Sequence, residues 1–298
     1  MECSSVSEDD MKSLQQWIIC VGLTATLPLW AVGQDRTSAK PLPPSEEIPD
    51  LSTVKPTIVC GNCDQPFDPT THKGILKGLA SNRYVGELRR ALYWQDSYHQ
   101  FESKVHFDNC DFDEAVGYVD SLLAEVDRHV VEAKVAHERG DQAATETSAL
   151  KAFFALGQAL HGVQDFYAHT NYVEMSVDQA RKSTDIVIVS PWTQSGKNRI
   201  KELESSGLVS GYVSWGFPKK CPNGTPTHAD MAKDKATTPS GAVKVPHLEN
   251  RSRYQISVQL ARGASQELMD YAFRRWPLLK EVNGQYAAFE VLVDSRGL

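Results

Sequence analysis

The sequence predicts an all-α fold, a helical bundle that carries a less regular insertion. Three observations predict it. Apolar residues recur every three or four positions through several long stretches. Clusters of Gly, Pro and Ser punctuate the chain between them. A single short run, residues 185–189, reads as a strand. Amphipathic helices in this number bury their apolar stripes against one another.

The elements follow in order. Residues 1–33 read as an export signal. Met11-Lys12 is a better start than Met1, Trp17 to Trp30 is apolar, and Ala31-Val32-Gly33 is a small-x-small cleavage site. The apolar run is short for a membrane span. The expectation is a secreted or periplasmic protein. Residues 34–58 form a Pro/Ser-rich linker, and residues 59–298 the functional domain. Four cysteines then remain: Cys60, Cys63, Cys110 and Cys221. An even number in an exported chain favours disulfides, with three pairings open. Cys60-Gly-Asn-Cys63 also has knuckle spacing, but no second such pair exists.

Residues 71–100 have helical periodicity, with Thr70 or Thr71 as cap and Arg89-Arg90 toward the exposed side. A loop carries VHFDNCDF. Residues 113–139 form a strong helix on Val116, Val119, Leu123, Val126 and Val130, ended by Gly140-Asp141. Residues 143–167 form another, with Phe153, Leu156, Leu160, Val163 and Tyr167 on one face. Gly157 and Gly162 lie inside it, each at a cost of about 1 kcal/mol relative to alanine. Close packing or a nearby ligand explains tolerating that twice. Residues 175–234 are the irregular insertion. Residues 248–276 form a last helix, with Ile256, Leu260, Gly263, Glu267 and Tyr271 near one line, and Pro277 stops it.

The chain has 298 residues, 41% of them hydrophobic, enough for a large core, and a formal charge of −7. Polyanions are held mainly by Lys and Arg, so nucleic-acid binding is not expected. Bound cations can still reverse the local field.

Chemistry concentrates in ALHGVQDFYAHTNYVE. His161 and Asp165 are four apart and share a helix face, so both can ligate one cation. His169 lies one turn further. A metal needs ligands from other elements, and the candidates are His72, Asp96, His106, Asp108, Glu174 and His228. A lone His-x-x-x-Asp is more often a surface pair or a buried hydrogen bond. His129 and His137 sit on a charged helix, and with His99 and His247 they read as structural.

The segment LGQALHGVQDFYAHTNYVE resembles the signature of the Het-C family, within the broader group of zinc-dependent phospholipases C and single-strand-specific zinc nucleases. THKGILKGL, YWQDSYHQ, VHFDNC, SGLVSGYVSWGFPKKC and THADMAKDK resemble further pieces in the family's order, across residues 70–275. The resemblance implies that Asp96, His106, His161 and Asp165 surround one zinc. It implies that His72 helps hold a second, bridged through Asp165. His169 would serve a third, with Glu174 and His228 as candidate partners. The cofactor expectation is two or three zinc ions. Two features depart from the lipases: His169 follows Asp165 more closely, and the mature N-terminus at Gln34 lies far before His72.

The implied function is an exported phospholipase C that acts on phospholipid headgroups at a membrane surface. Zinc brings the pKa of bound water to about 7, and Asp96 is the candidate catalytic proton acceptor. Tyr93, Trp94, Phe107, Phe166, Tyr167 and Tyr172 could line an apolar route or hold a choline cation, although such aromatics are more often core. The alternatives are a zinc nuclease and a non-catalytic Het-C-like interaction protein.

Overall fold

The computed structural model describes residues 69–213 and 220–296. The expected signal segment and linker, with Cys60 and Cys63, lie outside the described residues. The described part is all-α: ten α-helices and one antiparallel pair of two-residue strands.

The first expected helix is two helices, α1 (Pro69–Ile75) and α2 (Asn82–Tyr98). Gly78 separates them at φ 78°, a left-handed angle that glycine adopts without a Cβ clash. Thr70 and Thr71 lie inside α1, whose first residue is Pro69, a position that suits a residue with no N–H. A short helix, α3 (Ser103–His106), occupies part of the expected VHFDNCDF loop. Then come α4 (Phe112–Glu138) and α5 (Gln142–His169), close to the expected bounds. They form a hairpin. Gly140 turns the chain at φ 71°, and the Asp141 carboxylate accepts the Ala144 N–H at 2.9 Å to cap α5.

Helix α5 is the axis of the described bundle. Every residue from Ala159 to Thr170 is buried, not only the predicted face, because helices surround it. The two glycines explain how closely they approach. A Cβ on Gly157 would lie 2.7 Å from the Ala91 Cβ and 2.9 Å from the Leu88 Cα, so α2 packs directly on α5. A Cβ on Gly162 would lie 3.2 Å from the Val105 carbonyl oxygen, in α3. These contacts bring Asp96 and His106 up to the helix that carries His161.

The insertion holds α6 (Tyr172–Val177), a 3-10 turn (Ser183–Asp185), α7 (Gln194–Ser205) and α8 (His228–Met231). The expected strand at 185–189 does not form. The Tyr167 hydroxyl accepts from the Val189 N–H at 2.9 Å and donates to its carbonyl at 3.1 Å, in place of a neighbouring strand. The pairing occurs instead between β1 (Lys244–Val245) and β2 (Arg251–Ser252).

Helix α9 (Arg253–Arg275) starts later than expected. Glu249 and Asn250 take φ of 59° and 56°, which is incompatible with helix, and Ser252 with Gln255 forms a capping box at the true start. Its buried line runs through Ile256, Leu260, Ala264 and Leu268, while Glu267 is exposed. Pro277 does not end the helical region. It opens α10 (Pro277–Arg296) as a first-turn proline. No helix among the described residues is long and apolar enough to cross a membrane.

Candidate metal centre

Four helices converge on Asp165. The carboxylate sits in the buried half of α5, one turn after His161. Its Oδ2 lies 2.9 Å from His161 Nε2 and 3.0 Å from His106 Nδ1, and those two nitrogens are 3.1 Å apart. Asp96 Oδ1, from α2, is 3.5 Å from the same His161 nitrogen. The other oxygen, Asp165 Oδ1, faces α1, with His72 Nε2 at 3.4 Å. The two faces of one carboxylate thus meet two different sets of ligands.

The tautomers follow from the surroundings. The Ser265 hydroxyl donates to the Ala261 carbonyl, so its oxygen accepts from Gln164 Nε2 at 3.0 Å. Gln164 Oε1 then faces His72 Nδ1 at 2.5 Å and accepts its proton. That leaves the Nε2 lone pair of His72 turned toward Asp165. His106 is set likewise: its Nε2–H donates to the His99 carbonyl at 3.2 Å, and the Nδ1 lone pair points at Asp165. Partners that fix which imidazole nitrogen is bare are the usual support of metal-binding histidines.

Lone pairs facing carboxylate oxygens repel unless a cation lies between them. Ligand atoms about 3.3 Å apart are what tetrahedral zinc with bonds of about 2.0 Å would require. Both Asp96 oxygens and Asp165 Oδ1 are buried and accept no hydrogen bond among the described residues. Such uncompensated carboxylates are costly unless charge-paired. The donor set therefore fits a divalent cation.

Without metal, the same field draws protons. Burial pushes His72 and His106 down, but Asp165 and Asp96 outweigh it and the net shift is upward. Burial raises Asp165, yet His161, His169 and His106 hold it well below the usual carboxylate range. Burial dominates at the other two: His161 is pushed down and Asp96 up.

A second cluster forms at the C-terminal end of α5. His228, the first residue of α8, places Nδ1 3.0 Å from Asp108 Oδ1 and Nε2 3.7 Å from Asp234 Oδ2. His169 joins it through Nε2, 3.2 Å from Asp234 Oδ1, while its Nδ1–H donates to the His106 carbonyl at 2.9 Å and lies 3.6 Å from Asp108 Oδ1. Asp108, His169 and His228 each offer a ligand atom, all within 4.8 Å of one another, as do His72, His161 and Asp165, and Asp96, His106 and His161, in the first cluster. Burial lowers His169, but Asp165, Asp108 and Asp234 carry it to about 9. Of the candidate ligands, the first cluster brings together His72, Asp96, His106, His161 and Asp165, and the second Asp108, His169 and His228.

Among the described residues, Glu174 makes no hydrogen bond or ion pair with either cluster. Its carboxylate takes the buried Lys233 ammonium at 3.3 Å, Arg253 at 3.4 Å and the Ser240 hydroxyl at 2.7 Å. The place expected for it is held by Asp108, which the sequence offered without a partner, and Asp234, which it did not single out. Asp234 lies in a loop beyond α8, so no helical spacing links it to His228. Lys233 next to it also donates to the Thr170 carbonyl at 2.7 Å, anchoring that loop to the end of α5.

The remaining histidines are structural in their contacts. His129 meets Glu132 at 2.9 Å, His99 meets Glu102 at 2.6 Å, and His247 Nε2 meets the Val177 carbonyl at 2.9 Å. His137 is exposed. Phe107, Phe166, Tyr167 and Tyr172 are core. Trp94 instead stacks on Tyr98 at 3.9 Å on α2, with Tyr98 half exposed.

Among known proteins, residues 98–188 match the family model of the Heterokaryon incompatibility protein Het-C. That stretch holds His106, Asp108, His161, Asp165, His169 and Glu174. No curated protein and no solved structure matches the chain.

Proposed function

We propose that the chain is an exported, zinc-dependent phosphodiester hydrolase of the phospholipase C type, holding two or three ions and acting on phospholipid headgroups. One observation carries this reading: Asp165 turns Oδ2 to His161 and His106 and Oδ1 to His72, the arrangement of a carboxylate placed to bridge two cations. Zinc, when bound, supplies a Lewis acid and brings the pKa of water down to about 7.

The chain's own residues do the rest. Asp165 would hold both cations through its two oxygens and, by its negative charge, lessen their repulsion. Among the described residues neither Asp96 oxygen accepts a hydrogen bond, which suits a proton acceptor beside the attacking water. The stacked Trp94 and Tyr98 offer apolar surface on the helix that carries Asp96, which suits a lipid. With metals present, an acidic chain can receive an anionic phosphodiester.

A second reading draws on burial. No candidate ligand of either cluster is more than 9% exposed, which also suits structural metal in a non-catalytic Het-C-like protein. Zinc-reconstituted protein should be assayed for zinc content, phosphocholine release from phosphatidylcholine vesicles, hydrolysis of a soluble aryl phosphodiester, and cleavage of single-stranded DNA. Lipid and aryl diester turnover is expected. Stoichiometric zinc with no turnover would replace the enzyme reading by the structural one, and turnover of DNA alone would make it a nuclease.

A further inference from the structure

The two clusters are built differently. The ligands of the first sit in α1, α2, α3 and α5. In the second, only His169 belongs to a long helix. Asp108 lies in the loop between α3 and α4, His228 opens a four-residue helix, and Asp234 follows that helix. Asp108 is flanked by Phe107, Asn109 and Cys110 at φ of 55°, 58° and 54°, left-handed angles that non-glycine residues seldom hold. Something outside the loop must impose that shape.

The contacts show what does. Cys110 is bonded to Cys221 across 111 residues of sequence. The Cys110 N–H donates to the Ser210 hydroxyl at 2.8 Å, and the Asn109 N–H donates to the Gly211 carbonyl at 2.9 Å. The Asn109 side-chain oxygen accepts from the Val213 N–H at 2.9 Å, and its backbone carbonyl from the Lys220 N–H at 3.2 Å. Gly211 in turn donates to the His169 carbonyl at 3.0 Å. It also leaves room for His228, whose Cα would lie 2.5 Å from a Cβ at that position. One covalent bond therefore closes the loop holding Asp108 onto the segment leading to His228, beside the 3.0 Å contact between those two side chains.

We infer that the Cys110–Cys221 disulfide is a clamp on the second metal cluster, so that its reduction releases that ion and leaves the first cluster loaded. This rests on the reading of both clusters as metal sites. In the reductive step a dithiol breaks the S–S bond; two electrons and two protons give two cysteine thiols, and the dithiol closes to its own disulfide. Cys110 and Cys221 are positioning residues, acting on Asp108 and His228 through the backbone.

The test compares the zinc content and zinc affinity of the full oxidised chain, the same sample reduced with a non-chelating phosphine, and the Cys110→Ser/Cys221→Ser variant. The variant isolates this bond from Cys60 and Cys63. An Asp234→Asn variant identifies which ion belongs to the second cluster. Reduction and the double variant should each weaken one ion at least tenfold, the ion that Asp234→Asn also loses, with the rest retained and helical circular dichroism unchanged. If reduced protein keeps every ion at unchanged affinity, the bond is a plain staple and the inference falls, even where the double variant does not fold. If Asp234→Asn removes no ion from oxidised protein, the second cluster is not a metal site, and the clamp falls with it while the first cluster stands.

Discussion

Asp165 and His129 are both charged or chargeable groups on long helices, and they make a controlled pair. Asp165 is fully buried and faces three imidazoles on two sides. His129, on α4, is half-buried and pairs with Glu125 and Glu132, away from both clusters. Asp165→Asn keeps the size and removes the charge that would bridge two cations. The variant should lose at least one zinc per chain and nearly all phosphodiesterase activity, while circular dichroism stays helical. His129→Ala should change neither, because its side chain contacts Glu125, Arg128 and Glu132 and no residue of either cluster. Zinc content and turnover measured on both variants decide it; full zinc in Asp165→Asn would remove the bridging role. The buried Lys233 offers a second test. Removing its charge leaves Glu174 to Arg253 and Ser240, and leaves the Thr170 carbonyl without its donor. Lys233→Met should lower stability by about 1–3 kcal/mol, the usual cost of an orphaned buried polar group, read as a shift in denaturant midpoint. An unchanged midpoint would show that this anchor is dispensable.

At the scale of elements, the approach of α2 to α5 positions Asp96, and Gly157 permits it. Gly157→Ala would place a methyl 2.7 Å from Ala91 and 2.9 Å from the Leu88 backbone. It should cost about 1–3 kcal/mol through overpacking, although alanine is the better helix former. A more stable Gly157→Ala protein would mean that α2 does not pack as described. The long helices α4 and α5 were legible because their apolar residues keep a helical period over many turns. The sequence also pointed to Gly157 and Gly162 as close contacts. Helix α7 was not legible: only Gly196, Ile200 and Leu203 are buried, too thin a stripe to stand out. The break between α1 and α2 was hidden because the residues flanking Gly78 continue the helical pattern. Pro277 reads equally as a stop or a start, because proline ends one helix and begins another with the same chemistry. In the site, spacing along α5 pointed to His161 and Asp165. No periodicity could pair His228 with Asp234, whose approach is fixed by a loop.

For the molecule as a whole, the clusters join segments that are distant in sequence, from α1 to the loop beyond α8, around one central helix. Metal should therefore report on the stability of the entire bundle. An ion present at a hundred times its dissociation constant adds about 2.7 kcal/mol to the native state. Chelation of loaded protein should lower the melting temperature by several degrees and restore it on adding zinc back. A melting curve that does not move when the metal is removed would place the ions at the periphery rather than at the centre of the fold. The central claim, that Asp165 bridges two ions, has a more direct test: anomalous diffraction at the zinc edge from crystals of the zinc-loaded protein. Two peaks are expected on either side of Asp165, one among Asp96, His106, His161 and Oδ2, the other between His72 and Oδ1. Zinc-loaded crystals with no peak in contact with Asp165 would contradict the account.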